Sequence, residues 1–345
     1  MAFTSQDTSS LADAVSKLNT FLAANGWSTH HVPASGEFAA WKNPSGSIWI
    51  TCALQWDTGT PQYCGVYQWH GQAYDTGGTT GTVPYDQTDD SGFGAASTTN
   101  ATLGGQRRVD MGSSGPEHIW VFEDTNYWHA VIRRDTDIYE HFGSGYLTKY
   151  NDWTGGEYTY GHFQDNTFSS DTAIKGGTSI LLDGLAVDTS PGATNMEERC
   201  ATLHIEGMAE QTTEIWGAVL GAQSSSLLGV ARDASARIHI LGGFRGGMLN
   251  FPMNFGQFPG TIQRGLVPMY PIVLGYWDRT ANEVYGPLGV MPDVRGVSLR
   301  NYANESEITV GSDTWVVFPS RRRKDADTSG AGYTMLQGIA YKQVS

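Results

Sequence analysis

Four histidines, His118, His129, His141 and His162, fall in one aromatic stretch of the chain. Imidazoles bind metals and move protons near neutral pH, so these are the first residues to weigh for chemistry. A zinc-type site needs three or four ligands converging on one point. No H-x-x-x-H or C-x-x-C spacing is present to bring them together. His129 and His141 fall on neighbouring predicted strands, offset by about one residue, where histidine is ordinarily a half-buried hydrogen-bonding residue. The expectation is no metal.

Carboxylates are the second candidates. Glu140, Asp152, Glu157 and Asp165 lie among Trp128, Trp153, Tyr158 and Tyr160. Glycoside hydrolysis uses an acid pair about 5–9 Å apart across a cleft, and aromatic rings often floor such clefts. Aromatics at strand spacing more often form core or interface, so an envelope-polysaccharide hydrolase using two of Glu140, Asp152 and Glu157 stands only as an alternative. Asp86, Asp89 and Asp90 lack the spacing and terminal Glu of a calcium loop. No G-x-S-x-G, no P-loop and no G-x-G-x-x-G after a strand occurs. The pairs Gly104-Gly105, Gly176-Gly177 and Gly242-Gly243 lack the following helix that a phosphate site requires. No catalytic residue and no cofactor is expected.

The elements that would position these residues follow from composition. Of 345 residues, 16% are charged, while 43 are glycine and 12% are aromatic. An average soluble protein carries roughly 25% charge. Gly, Ser and Thr weaken helix interiors, and Thr, Tyr and Trp suit pleated, half-buried surfaces. A net charge of −14 argues against nucleic acid as a partner. No apolar run is long enough to span a membrane as a helix, and the opening residues lack the basic start and apolar core of a signal peptide. Cys52, Cys64 and Cys200 do not form a disulfide framework. Cys52 and Cys64 could face each other across a hairpin, but buried free thiols fit a cytosolically made protein better.

One helix is expected over residues 9–25. Leu11, Ala14, Val15, Leu18, Phe21 and Leu22 make an apolar stripe, Ser9 or Ser10 caps it, and Asp13 completes a capping box from Ser10. Asn25-Gly26 supplies a left-handed stop, after which Trp27 folds back onto the stripe. Strands are expected over 47–54 and 63–70. An antiparallel meander follows over 118–143, its turns at Glu123–Asn126 and Arg134–Asp137. Further strands are read at 236–241, 272–277, 283–285, 307–310, 314–318 and 338–342. The fold class is therefore mainly β: antiparallel sandwich or barrel-like domains with one N-terminal amphipathic helix and long loops. Residues 1–187 are read as an N-terminal helix plus aromatic-rich β domain, 188–199 as a linker, and 200–345 as a C-terminal β domain.

Two segments look suited to partners. The stretch 71–115 is poor in core-forming residues and reads as an interaction loop or arm. The run 242–260 carries Phe251, Met253, Phe255 and Phe258 on an irregular backbone, as a docking surface or a loop over its own core would. Arg321, Arg322, Arg323 and Lys324 form a basic cluster in an acidic chain, fit for an acidic partner surface or for a solvated turn.

Three stretches carry a resemblance. One is the helix ending Phe21-Leu22-Ala23-Ala24-Asn25-Gly26-Trp27. The second is Asp124–Val131 running on to Phe142-Gly143 and Trp153-Thr154-Gly155-Gly156-Glu157-Tyr158. The third runs from Leu288-Gly289-Val290 to Ile308–Gly311, Trp315–Pro319 and Tyr341-Lys342. In these the chain resembles virion structural proteins from the tail gene clusters of long-tailed bacteriophages. The resemblance implies a non-enzymatic β-rich subunit of the tail or baseplate, made in the host cytoplasm and present in the virion in several copies. Its partners would be copies of itself and other phage structural proteins. A receptor- or glycan-binding tail protein, stacking a host surface glycan on Trp128, Trp153, Tyr158 and Tyr160, is the second reading.

Overall fold

The computed structural model describes residues 1–31, 38–42, 51–57, 65–71, 73–74, 85–86, 107–110, 117–135, 138–161, 201–206, 215–220, 236–241, 269–278, 283–299, 302–319 and 337–343. The chain opens with strand β1 (Ala2–Asp7) and helix α1 (Leu11–Ala24). Then come β2 (Ser28–His31), β3 (Phe38–Lys42), β4 (Thr51–Asp57), β5 (Gly65–Gly71), β6 (Ala73–Tyr74), β7 (Tyr85–Asp86) and β8 (Arg107–Asp110). The meander is β9 (His118–Asp124), β10 (Tyr127–Asp135) and β11 (Ile138–Tyr146), continued by β12 (Thr148–Lys149) and β13 (Thr154–Gly161). The remaining strands are β14 (Ala201–Glu206), β15 (Ile215–Leu220), β16 (Ala236–Leu241), β17 (Met269–Asp278), β18 (Glu283–Ser298), β19 (Ser306–Val310), β20 (Asp313–Pro319) and β21 (Gln337–Gln343). The fold is mainly β, as the composition implies.

Helix α1 starts where its sequence says it should. Ser10 is the N-cap in extended backbone, and its Oγ accepts the Asp13 N–H at 3.1 Å. The expected box differs in one detail: the Asp13 carboxylate accepts from the Ser9 N–H at 2.9 Å. Gly26, at φ 91, makes the left-handed turn that a side chain would resist. Trp27 then folds back and is buried with Leu11, Ala14, Val15, Leu18 and Leu22.

Among the described residues fourteen strands form one sheet, ordered β1-β9-β10-β11-β13-β14-β15-β16-β17-β18-β21-β20-β19, with β12 alongside β18. Its β15–β16 pairing is parallel. A second sheet is ordered β2-β3-β4-β5-β8, and β6 pairs β7. In the second sheet Cys52 stands opposite His70, so the β4–β5 register does not set it against Cys64, which lies outside the described residues.

The large sheet turns its two ends toward each other. Phe122 on β9 stacks on Tyr341 of β21, with ring centroids 5.0 Å apart, and Trp120 meets Phe318 of β20 edge-on at the same distance. One core therefore holds Trp120, Phe122, Val131, Tyr139, Tyr158 and Tyr160 together with Ile272, Leu274, Leu288, Met291, Val294, Val316, Phe318, Ile339 and Tyr341. Strands from both expected domains, 1–187 and 200–345, share that core. The expected linker, 188–199, lies outside the described residues.

The meander is covered on both faces, which explains the nearly unbroken burial along β9 and β11. Side chains alternate along a strand. Ile119, Val121, Trp128, Ala130, Ile132 and Phe142 point to α1, while Trp120, Phe122, Val131 and Tyr139 point to the C-terminal strands. Among the described residues no helix is long and apolar enough to cross a membrane.

Candidate functional site

The chemistry-bearing residues of the meander gather on the face turned to the C-terminal strands. In the β10–β11 register His129 pairs with Gly143 and Val131 with His141, so the two histidines sit diagonally, two positions apart, on one face. The expected offset of one would have put them on opposite faces. Both rings are fully buried.

His129 Nδ1 lies 2.9 Å from the Tyr160 hydroxyl, and its Nε2 lies 3.2 Å from the Pro292 carbonyl oxygen. His141 repeats the arrangement: Nδ1 lies 2.8 Å from the Tyr341 hydroxyl and Nε2 lies 2.9 Å from the Pro319 carbonyl oxygen. A carbonyl only accepts, so in the neutral rings Nε2 carries the hydrogen in both cases. Nδ1 is then the acceptor, and each tyrosine donates its single hydroxyl hydrogen to a histidine. No hydrogen is left for the 3.4 Å approach between the Tyr160 and Tyr341 oxygens. The cluster is thus two tyrosine–histidine–carbonyl relays lying side by side rather than one continuous wire.

Burial sets the protonation states. It pushes the His129 imidazole down to about 3 even though the Pro292 carbonyl favours the charged form. Tyr158, Tyr160 and Tyr341 are driven well above the usual phenol range, burial being the largest cause. Near neutral pH the described seam therefore holds a neutral imidazole at 129 and neutral phenols around it.

Two carboxylates flank the relays, and both have a backbone that L side chains rarely adopt. Asp293 sits at φ 50 and Glu305 at φ 63. Each is gripped by a tyrosine of the meander: Tyr127 donates to Asp293 Oδ2 at 2.7 Å, and Tyr139 donates to Glu305 Oε1 at 2.7 Å. Arg133 adds a 2.7 Å bond to the same Glu305 oxygen. Left-handed non-glycine backbone persists only where the surroundings over-determine it. Here the two clamps tie the ends of β10 and the start of β11 to the C-terminal half.

The helix-side face holds the remaining candidate acid. Glu140 stands opposite Ile132, is fully buried, and has Arg134 Nη1 at 3.9 Å. Nearby, Trp27 Nε1 donates to Glu123 Oε1 at 2.8 Å, and burial raises the Glu123 carboxyl against that bond. Asp152 is exposed, and Glu157 is placed on β13 opposite Tyr146. Glu140 and Asp152 thus do not face one another across a sugar cleft: one is sealed beneath the helix, the other is in water. Asp165 lies outside the described residues.

The aromatic set is equally committed. Trp128, Tyr158 and Tyr160 are fully buried, and Trp153 is 8% exposed, its Nε1 donating to the Leu288 carbonyl at 3.2 Å. A ring must offer a free face to stack on a sugar, and these rings face other protein groups. His118 opens β9 instead, next to the edge strand, with Nδ1 at 2.7 Å from Asp7 and Nε2 at 2.7 Å from Ser5 Oγ, linking β9 to β1. Among the described residues no group of three His, Cys, Asp or Glu converges as a metal site would need.

The partner-contact candidates Phe251, Met253, Phe255, Phe258, Arg321, Arg322, Arg323 and Lys324 lie outside the described residues, as do His162, Asp89 and Asp90. Sequence reasoning passed over Asp293, Glu305, Pro292 and Pro319. Pro292-Asp293 and Asn304-Glu305 carry ordinary turn signals, but nothing local announces that tyrosines far away in the chain will hold them.

No protein-family model matches the chain, and no curated protein matches it.

Proposed function

We propose that the chain is a structural subunit of a bacteriophage virion, positioned in the tail or baseplate and docked to copies of itself and to other phage structural proteins. The observation that carries this reading is how the chemically capable side chains of the meander are used. His129, His141 and Tyr160 are buried and hydrogen-bonded, Glu140 is buried beside Arg134, and Trp128 and Tyr158 are buried against other rings, so their chemistry goes into cohesion between layers. A low charge content, a glycine-rich β composition and the resemblance to tail proteins point the same way.

Such a subunit needs surfaces for its neighbours. Strand β19 ends the sheet order and presents Glu307, Thr309 and Val310 outward, with Val310 49% exposed. Pairing along a sheet edge is a common way for one chain to add to another. The apolar run 242–260 and the basic cluster 321–324 supply further candidate contacts. The test is mass spectrometry of purified particles of the phage that encodes the chain, which should contain it at a fixed copy number. A second arm deletes Gly246–Pro259: the protein should still fold but be lost from particles. Particles devoid of the chain would end the proposal, and normal incorporation of the deleted protein would remove this loop from it.

A further inference from the structure

The relay at His129 spans the junction of two layers. The ring belongs to β10, its Nδ1 partner Tyr160 to β13, and its Nε2 partner, the Pro292 carbonyl, to β18. Among the described residues, the titratable groups facing the ring are these. Tyr127 lies on its own strand with ring centroids 4.8 Å apart. Tyr158 and Tyr160 face it from β13 at 6.3 and 5.7 Å, and Tyr341 faces it from β21 at 5.6 Å. Asp293, on β18, is the nearby carboxylate; it accepts from Tyr127 and has Lys342 Nζ at 3.9 Å. His141 on β11 stands behind Tyr341. Neutral phenols surround the ring, and the neighbouring carboxylate is already engaged by a hydroxyl and an ammonium group.

We propose that His129, bonded to Tyr160 on one nitrogen and to the Pro292 carbonyl on the other, is an acid-sensitive latch that holds the β9–β13 layer against the C-terminal strands. With a second proton the ring would have N–H groups on both nitrogens. Nε2–H keeps Pro292, but Nδ1–H now meets the hydroxyl of Tyr160, which must turn to accept it. The displaced tyrosine hydrogen has the Tyr341 oxygen to point to, which can accept while donating to His141, but at 3.4 Å that bond is long and weak. The whole positive charge stays in a fully buried seam, where an ion is costly unless paired. Opening the seam puts the ring in water.

The direction with pH follows. An exposed imidazole titrates near 6.5, whereas the sealed one stays neutral down to about 3. The open seam therefore binds one more proton than the closed seam between those values. The latch is at full strength above about 6.5, and the open population grows about tenfold for each pH unit below it. Growth levels off only near the sealed ring's own value. The latch does not depend on the virion reading and can stand or fall separately from it.

The experiment is native-state amide exchange, corrected for intrinsic rates, in the wild-type protein and in His129→Gln. Glutamine can accept from Tyr160 and donate to Pro292 but cannot titrate. Between pH 6.5 and 4.5 the protection of β10 and β18 amides should fall in the wild type about one proton more steeply than in the variant. Equal slopes would overturn the latch. Should His129→Gln fail to fold, ring-nitrogen NMR of the native protein decides. A neutral His129 with hydrogen on Nε2 at pH 5 supports the latch, and a ring that protonates near 6.5 with the seam still protected overturns it.

Discussion

The two faces of the β9–β11 meander belong to the same three strands, yet they are built on different principles. The face under α1 is largely apolar: Val121, Trp128, Ala130, Ile132 and Phe142 meet the helix stripe, with Glu140 and Arg134 sealed among them. The opposite face carries His129, Tyr139 and His141 beside Trp120, Phe122 and Val131, and meets Tyr160, Phe318 and Tyr341. Apolar contact is non-directional and tolerates small shifts. The hydrogen-bonded seam accepts only one alignment, because each imidazole has one donor and one acceptor to match. The helix face supplies adhesion, and the seam face fixes how one end of the sheet lies on the other.

That contrast can be broken most severely from the helix side. Trp128 is fully buried against α1 and meets Phe142 edge-on at 5.7 Å. Trp128→Ala should lower the unfolding free energy by about 3–5 kcal/mol in urea titration. A loss under about 1 kcal/mol would mean that α1 collapses into the gap and that the helix face is far softer than its packing implies.

Seam substitutions should act more sharply on geometry than on area. Tyr341→Phe keeps the ring but removes the hydroxyl that donates to His141, leaving a buried acceptor at a loss of about 1–3 kcal/mol. Gly143→Ala attacks the same seam by crowding. A Cβ there would come 2.5 Å from the Trp128 carbonyl oxygen, 2.8 Å from the Tyr160 ring and 3.0 Å from His129 Nδ1. Overpacking of this kind costs about 1–3 kcal/mol. It should also shift the His129 ring resonances, which Trp128→Ala should move less. Equal perturbation of those resonances by both would argue that the two faces are not separate units.

Much of the frame is legible from local pattern, because local forces set it. The helix over 9–25 appears as Leu11–Ala24, since its stripe, cap and glycine stop all act within a few residues. The strands read at 236–241 and 338–342 appear at Ala236–Leu241 and Gln337–Gln343. Strand β1 was not expected: Ala2-Phe3-Thr4-Ser5-Gln6-Asp7 has little alternation, and its place comes from pairing with β9 more than a hundred residues away. The length of β18 was also missed, because Gly286, Pro287, Gly289 and Pro292 punctuate it like a series of turns. The aromatic and acidic residues could be found by type, but not their burial. Trp128 and Tyr160 have the composition of a sugar platform, but helix α1 covers the first and the sheet's turning back on itself encloses the second.

The smallest expected effect tests whether the faces respond independently. Ser10 caps α1 through the Asp13 N–H and touches nothing in the seam; Asp13 is also held by Lys17 Nζ at 2.7 Å. Ser10→Ala should therefore lower stability by about 1 kcal/mol. Its loss should be the same at pH 7 and pH 5, because the serine hydroxyl does not titrate and the seam histidines lie on the other side of the sheet. Combined with Tyr341→Phe, it should add to within about 0.5 kcal/mol, as separated sites do. Tyr341→Phe and His129→Gln, by contrast, sit in adjoining relays, where the Tyr160 and Tyr341 oxygens are 3.4 Å apart. Removing the Tyr341 hydroxyl takes away the oxygen toward which Tyr160 would turn on protonation of His129, so this pair should deviate from additivity by about 0.5 kcal/mol or more. Coupling of the helix cap to the seam as strong as that between the relays would show that the meander transmits strain through its thickness, and the two-face description would have to be given up.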